Sequence, residues 1–426
     1  MPFEIVTSNP QHIKSIKIEL EGRSSFVKPI TKEGDLTIIK TTINDPNDPL
    51  FVDSRYTARE YNASQSANLN STGLVEYVHG FLKEQGVDEV KVKELLNTMP
   101  LRYTIYPPLL LFNYSVQRSF KHATWTAFFG AYRESSDKLF NGMLETVFSS
   151  NKLTNVAINM PIIETDIQRR PFNILPLFGD LIDKSVDLNN DKLWESPSSE
   201  DFSKTLWCHV VQNGIDQYWA PAFTMFSRGN VKEKKRILSE YVDIEGNDVV
   251  DLYAGIGYFT LSYLKRKARN VFCFELNPWS VEGLRRGIAK NKFADRAHVY
   301  CENNENSITR ILEYREDLTI RHINLGLLPS SRPGWKLALD ILSLPNVNAS
   351  VESPLLCTLH VHENIHIEEL NNSSFVERML TELTATQPTF RYTAAHVEKI
   401  KTFAPDVWHV CIDVEVLSLD TQLSCS

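Results

Sequence analysis

The chain has 426 residues, long enough for about two or three domains. Hydrophobic residues make up 42% and charged residues 23%, which permits a large core. Acidic side chains outnumber basic ones, 53 to 45, and the net charge of −8 excludes a generally basic nucleic-acid binder. Any RNA contact must come from local patches.

Six cysteines occur, all from Cys208 onward, with no Cys-x-x-Cys pair. This argues against a zinc site or a disulfide framework and fits a reducing compartment. The opening Met-Pro-Phe-Glu-Ile-Val lacks the basic and apolar regions of a secretory signal. No run approaches the roughly 18 apolar residues of a membrane span. The expected compartment is the cytoplasm.

Residues 1–150 are rich in Asn, Ser, Thr and aromatics and read as an α+β domain. Leu74–Leu82 looks helical, Tyr106–Tyr114 looks like a buried strand or loop edge, and Trp125–Phe129 and Leu139–Phe148 suggest further helix. A second α+β unit, 151–240, opens with Asn155-Val-Ala-Ile-Asn-Met-Pro and contains Leu175-Pro-Leu-Phe-Gly-Asp180. Its polar stretch Leu188–Phe202 reads as an exposed loop.

From 241 to 426 strand and helix patterns alternate. Strands are predicted at Asp248–Leu252, Asn270–Leu276, His298–Glu302, Arg321–Leu327 and Pro354–His362. Helices are predicted at 258–267, 278–291, 304–314, 335–343 and about 366–385. Thr389–Ile400 and Val407–Leu417 would close the sheet as an antiparallel hairpin. Five parallel strands and a hairpin make a doubly wound sheet of seven strands, the architecture of class I S-adenosylmethionine (AdoMet)-dependent transferases.

Asp251-Leu-Tyr-Ala-Gly-Ile-Gly257 carries the strongest chemical signal. It follows the apolar pair Val249-Val250, and Glu275 stands 24 residues beyond Asp251. Strand, glycine turn, helix, strand and acid form the layout of a nucleotide-type cofactor site. The spacing is not Gly-x-Gly-x-x-Gly, and no Gly-Lys-Ser/Thr follows, which points to AdoMet over a dinucleotide or a P-loop ligand. Gly255 and Gly257 would let backbone approach the ligand. Glu275 can accept from both ribose hydroxyls. Asn277 and Pro278 suit a helix cap and first helical position. Asn303 and Asn304 follow the third strand, where an amide or acid can meet the adenine amino group. Asn324-Leu-Gly-Leu-Leu-Pro-Ser-Ser331 ends the fourth strand, and its Asn324 can orient a base.

Arg228–Arg236 holds five basic residues and one acid and is expected to form a cationic loop beside the cleft. Lys265–Arg269 and Arg285–Lys292 hold further basic clusters, read equally well as solvated helix faces. His360 and His362 would share one strand face, with His366 in the next loop. No carboxylate or cysteine pattern completes a metal set, so no metal is expected.

Together, Phe226-Ser-Arg-Gly-Asn-Val-Lys-Glu-Lys-Lys-Arg236, Asp251–Phe259, Glu275-Leu-Asn-Pro278 and Asn324–Ser331 resemble the tRNA wybutosine-synthesizing protein 2 family. Pro176–Asp180, Trp207–Ala220 and His360-Val-His362 share the likeness, which spans about 165–426, and Tyr106–Phe112 looks like fungal members. The resemblance implies transfer of the 3-amino-3-carboxypropyl group of AdoMet to carbon 7 of 4-demethylwyosine at position 37 of phenylalanine tRNA. Methylthioadenosine would leave. It also implies site roles. Ser227, Arg228, Asn230 and Lys234 would hold the aminocarboxypropyl end. Asp251 and Tyr253 to Gly257 would form the cofactor turn, Glu275 would bind ribose, and Asn303 would lie by adenine. Glu233 would be the proton acceptor, with Asn324 beside the reacting base. The family commonly has Gly-Asp-Asn where this chain has Glu302-Asn303-Asn304, which replaces an ionic acceptor by an amide.

Two other readings stay open at this point. One is a tRNA guanine-37 N1-methyltransferase, against which count the missing Phe-Ser-Pro-Arg and the longer Asn324 segment. The other is a tRNA-binding protein that kept the fold without activity. The tRNA contacts are expected from residues 1–240 and from Lys232, Lys234, Lys235 and Arg236 near the cleft. Phe226 and Tyr258 can stack a base or pack a core. The oligomeric state is not legible.

Overall fold

The computed structural model describes residues 3–419 apart from 24, 34–35, 47, 53–56, 61–72, 133, 160–173, 315, 350 and 352. Met160 and Pro161 of the Asn155 motif and the first residues of the 165–426 likeness lie outside the described residues. The chain forms two compact units, Met1–Gly73 and Leu74–Ser426.

The first unit holds an antiparallel sheet in the order β2-β3-β1-β4, from β1 (Phe3–Thr7), β2 (Phe26–Glu33), β3 (Leu36–Thr41) and β4 (Thr57–Glu60). Ile5 and Ile39 on its inner face meet Ile16 and Leu20 of the helix Pro10–Gly22, and Leu50 closes this small core.

The second unit begins with helices Leu74–Glu84, Glu89–Thr98, Ala123–Ala131 and Ser135–Thr146. They pack on a sheet ordered β5-β6-β7-β8, from β5 (Tyr103–Tyr106), β6 (Leu109–Asn113), β7 (Asn155–Asn159) and β8 (Ile174–Phe178). Val78, Leu82, Leu95, Trp125, Phe140 and Phe112 meet in its core. The predicted loop Leu188–Phe202 contains two short helices, Asp191–Glu195 and Ser199–Ser203. Their caps are polar: Asn190 accepts from Lys192 N, and Ser198 with Asp201 forms a capping box. Polarity there marks helix starts and not only exposure.

A hairpin of β9 (Cys208–Gln212) and β10 (Ile215–Trp219) follows. Its two-residue turn, Asn213-Gly214, has φ of 53° and 66°, the left-handed pair that such hairpins need.

The large sheet runs β13-β12-β11-β14-β15-β17-β16. Its parallel strands are β11 (Asp248–Asp251), β12 (Asn270–Glu275), β13 (Ala297–Cys301), β14 (Ile320–Leu325) and β15 (Leu355–His366). The closing hairpin is β16 (Phe390–Ala404) and β17 (Val407–Ser418), and β17 lies antiparallel between β15 and β16. Val249, Val250, Phe272 and Ile323 are fully buried, as unbroken apolar strands covered on both faces require. The predicted helix 366–385 is two helices, Ile367–Asn371 and Ser374–Thr386, because Ser373 takes a left-handed φ of 60°.

Candidate active site

β11 ends at Asp251, and the chain turns back at Gly255 and Gly257 with φ of 55° and 88°. A Cβ at Gly257 would stand 2.7 Å from Leu284 Cδ1, so only glycine fits both the turn and the packing. Asp251 is fully buried below this turn. It accepts from Thr260 Oγ1 at 2.7 Å, Asn324 Nδ2 at 2.9 Å and Tyr253 N at 3.3 Å. Burial raises its carboxyl above the usual range despite these donors. Asp251 therefore braces the ends of two strands and the turn from the inside.

Glu275, half-buried at the end of β12, accepts from Gly255 N and Asn277 N, each at 2.8 Å. Each oxygen keeps a further lone pair for a hydroxyl donor. Asn277 caps the next helix by accepting from Trp279 N at 3.0 Å. Past β13, exposed Asn303 accepts from Glu305 N, while Asn304 donates to Leu252 O at 3.1 Å and ties that loop to the glycine turn. Tyr253 is half-buried, and a Cβ on Gly334 would meet its hydroxyl at 2.9 Å.

Asn324 is the penultimate residue of β14, beside this turn. Its Nδ2 is spent on Asp251, and its buried Oδ1 has no hydrogen-bond partner among the described residues. Ser330 and Ser331, which close the same segment, both donate to Glu363 Oε1, at 3.0 and 3.2 Å. Burial pushes the Glu363 carboxyl up to about 7.

The expected cationic loop is largely a helix, Val231–Ser239, entered through a short turn at Arg228–Asn230. Its period divides the charges. Lys232 and Lys235 are exposed, while Glu233, Lys234 and Arg236 are buried. The Arg236 guanidinium pairs with Glu233 and with Asp413 of β17, and Tyr241 donates to Glu233 at 2.7 Å. This corrects the placement of Arg236 as a tRNA contact, because its charge is consumed inside the protein. The structure also puts both oxygens of Glu233 on Arg236 and Tyr241, the position of an anchoring acid.

Lys234 is different. It is 1% exposed, and among the described residues its Nζ hydrogen-bonds only to the amide oxygens of Gln212 at 2.9 Å and Gln217 at 2.7 Å. Gln217 in turn donates to Gly257 O at 3.4 Å. The ammonium lies 5.3 Å from the ring centres of both Phe226 and Tyr258. Burial lowers its pKa to about 7. No carboxylate pairs with it among the described residues, so burial favours the neutral amine, and a ligand carboxylate placed beside it would restore the charge. Ser227 donates to Asn230 at 3.2 Å and accepts from Lys401 Nζ at 3.4 Å, while Arg228 is exposed at the rim.

Lys401, Asp413, Tyr241 and the two glutamines were missed by sequence reading. The available signal was polar alternation along the closing strands: His360, His362, then His409, Cys411, Asp413. These residues form a polar inner face beneath the Val231–Ser239 helix. His322 donates from Nε2 to Val242 O at 2.8 Å and meets His360 Nε2 through Nδ1 at 2.9 Å, and His360 reaches Asp413 at 2.7 Å. His360, Cys411 and Asp413 converge as a metal set would, but Arg236 already supplies the positive charge on Asp413. His366 is exposed and caps the following helix instead of joining His360 and His362.

Burial, reinforced by a neighbouring histidine, lowers His322 and His362 to about 3. As pH falls below the ordinary value of about 6.5, the unfolded chain takes up these protons first. Stability is therefore complete above that pH and is lost below it. The urea midpoint is expected to drop between about pH 6.5 and 5, ahead of most carboxylates. A flat midpoint over that window would contradict the neutral, buried assignment.

A positive-φ glycine turn, an acid at the end of the next strand, and an antiparallel strand inserted at the far side of a parallel sheet define a class I AdoMet-dependent transferase. Residues 209–315 match the TRM5/TYW2 methyltransferase domain family. The chain is 44% identical over 459 aligned residues to tRNA wybutosine-synthesizing protein 2 of Saccharomyces cerevisiae, covering 98% of each chain. It is 36% identical to the protein of that name from Schizosaccharomyces pombe, covering 76% of this chain and 75% of that one. The solved structure of P. horikoshii TYW2 in complex with MeSAdo shares the fold, with a TM-score of 0.54 and 19% identity over 80% of this chain and 99% of that one. The chain belongs to the tRNA wybutosine-synthesizing protein 2 family. It is an AdoMet-dependent transferase that modifies tRNA.

Proposed function

We propose that the protein transfers the 3-amino-3-carboxypropyl group of AdoMet to carbon 7 of 4-demethylwyosine at position 37 of phenylalanine tRNA. The kinship to the S. cerevisiae wybutosine-synthesizing protein, spanning 98% of the chain, carries this reading. The residues present fit AdoMet. Gly255 and Gly257 leave room for close approach, Glu275 keeps lone pairs for ribose hydroxyls, and the buried Lys234 amine has no carboxylate partner among the described residues. When bound, AdoMet supplies a sulfonium whose attached carbons are open to attack, and aim decides which one reacts.

In this reading Tyr253–Gly257 and Glu275 hold the nucleoside end, and Asn303 lies by adenine. Asp251 serves from behind the turn. Lys234, Ser227 and Asn230 hold the aminocarboxypropyl end, and Arg228, exposed and lining the neighbouring cleft, we reassign from that end to the tRNA. A carboxylate fixed there aims the carbon chain, not the methyl, at the base. Asn324 offers its free Oδ1 to a donor on the base. Glu233 we reassign from proton acceptor to positioning residue, because it holds the helix that carries Lys234, and the proton displaced from carbon 7 then leaves to solvent water. Residues 241–426 are the catalytic part, and 1–150 and 151–240 supply tRNA contacts. No described helix is long and apolar enough to cross a membrane. We assign the cytoplasm from cysteine usage, since the described cysteines are free.

The test is mass spectrometry of the products from AdoMet and tRNA blocked at 4-demethylwyosine. Methylthioadenosine, with the aminocarboxypropyl mass on the base, is expected. S-adenosylhomocysteine with a methylated base would establish the methyltransferase reading instead. Of the two exposed lysines of the helix, Lys232 pairs with Glu398, which leaves Lys235 available to phosphate. Lys235→Glu should weaken tRNA binding and shrink its salt dependence by about one phosphate contact. Unchanged affinity at low salt would remove that helix from the tRNA interface.

A further inference from the structure

A second cleft opens where the β5–β8 sheet meets the segment from Trp219 to Arg228. Tyr106, Asn113, Asn159, Trp219, Phe226 and Arg228 line it. Three of these are aromatic and pack together, with ring centres 5.1 Å apart for Tyr106–Trp219, 5.4 Å for Tyr106–Phe226 and 5.8 Å for Trp219–Phe226. Asn113 and Asn159 are register partners at the carboxyl ends of the parallel strands β6 and β7. Two amides therefore stand side by side at the mouth, each with donors and an acceptor.

Trp219 supplies the observation that points to a ligand. It is 2% exposed, and its indole Nε1–H has no acceptor among the described residues. Native proteins seldom leave a buried donor unpaired, because the lost hydration is not repaid. An acceptor brought by a ligand would repay it. At the rim, Arg228 is exposed and has no ion-pair partner among the described residues.

Aromatic walls, amides that read a polar edge, one buried donor and one rim cation match a planar heterocycle joined to a phosphate. Unstacked RNA bases are bound in this way, by stacking and edge hydrogen bonds. The cleft also shares a wall with the transferase site. The Tyr258 hydroxyl, from the glycine turn, donates to Met225 O and accepts from Ser227 N at 3.3 Å. We propose that this cleft is a nucleobase subsite that takes one unstacked base of the tRNA, with its edge on Asn113, Asn159 and Trp219 Nε1 and its phosphate on Arg228. The proposal rests on the tRNA reading above and names the residues of β5, β6 and β7 that would make the contact. The base is either the acceptor itself or the next nucleotide.

The test uses the full chain and an anticodon-arm RNA carrying 2-aminopurine at position 37 or at the next nucleotide. Quenching of one probe on binding identifies the base that enters the aromatic cleft. Trp219→Phe keeps a ring and deletes the donor, and Asn113→Ala deletes an edge contact. Each should weaken RNA binding about tenfold and reduce the quench, with AdoMet-induced thermal stabilisation unchanged. If the acceptor base occupies the cleft, kcat falls; if a neighbour does, KM rises at constant kcat. Wild-type RNA affinity and full quench in both variants would overturn the proposal. Methylthioadenosine release by the wild-type protein is scored separately. Its absence would count against the reaction, while the fluorescence result would still decide the subsite.

Discussion

Replacing Lys234 with methionine is expected to weaken AdoMet binding about a hundredfold, in the range for truncating one partner of a buried charge pair. The fold should survive, and the ligand-free protein should become more stable. The reason is the setting of the ammonium: 1% exposed, bonded to two amide oxygens, and pushed down to about 7 by burial. Its pKa in the folded chain lies below the unfolded value of about 10.5. Between these values the unfolded chain holds a proton that the folded chain has shed. Wild-type stability should therefore rise with pH from about 7 to 10, and this rise should vanish in Lys234→Met. With a carboxylate beside it the lysine keeps its proton, so saturating AdoMet should flatten the same profile. Calorimetric affinities and urea midpoints across pH read both effects. A methionine variant that binds AdoMet like the wild type would remove Lys234 from the site.

Arg236→Met should cost about 3–5 kcal/mol of stability, the usual loss when one member of a buried ion pair is removed. Glu233 is fully buried and Asp413 is 8% exposed, so both carboxylates would be left without their shared cation. Burial by itself would raise Asp413, but His360 and Arg236 hold it well below the usual carboxylate range. Loss of the arginine should raise Asp413 and loosen the helix that carries Lys234, so AdoMet affinity should fall as well. Glu233→Gln separates anchoring from catalysis. An anchoring residue predicts a lower melting temperature with the shape of the pH–rate profile retained. An unchanged melting temperature with one limb of that profile lost would restore Glu233 as the proton acceptor.

The central parallel strands β11 and β12 were legible because each is a short, largely apolar run, as a sheet covered on both faces requires. The glycine turn was legible because a left-handed φ demands glycine, and Glu275 because it ends a strand just before a capped helix, where it accepts from Gly255 N and Asn277 N. The helix Pro278–Asn291 could be bounded from its Asn-Pro start alone. What sequence concealed depends on contacts remote along the chain. Arg236 and Asp413 are 177 positions apart, and nothing local to either announces the pair. The run from Arg228 to Arg236 looked uniformly cationic because composition ignores helical phase. Once helical, it turns Glu233, Lys234 and Arg236 inward and Lys232 and Lys235 outward. The Trp219 cleft was invisible for a similar reason, since its walls come from two sheets built by separate segments.

The place of β17 has a consequence for how the molecule is made. It follows β16 in the chain yet lies between β15 and β16 in the sheet. A nascent chain that has emerged only as far as β16 has no partner for the inner edge of either strand. Arg236 then has Glu233 but not Asp413, and the segment bearing Lys234 has no fixed floor. The buried group of Glu233, Arg236 and Asp413 beneath that helix is thus completed only after β17 is inserted. Until then two bare strand edges are open to wrong pairing, a hazard that the local contacts of the helix pair Leu74–Glu84 and Glu89–Thr98 do not carry.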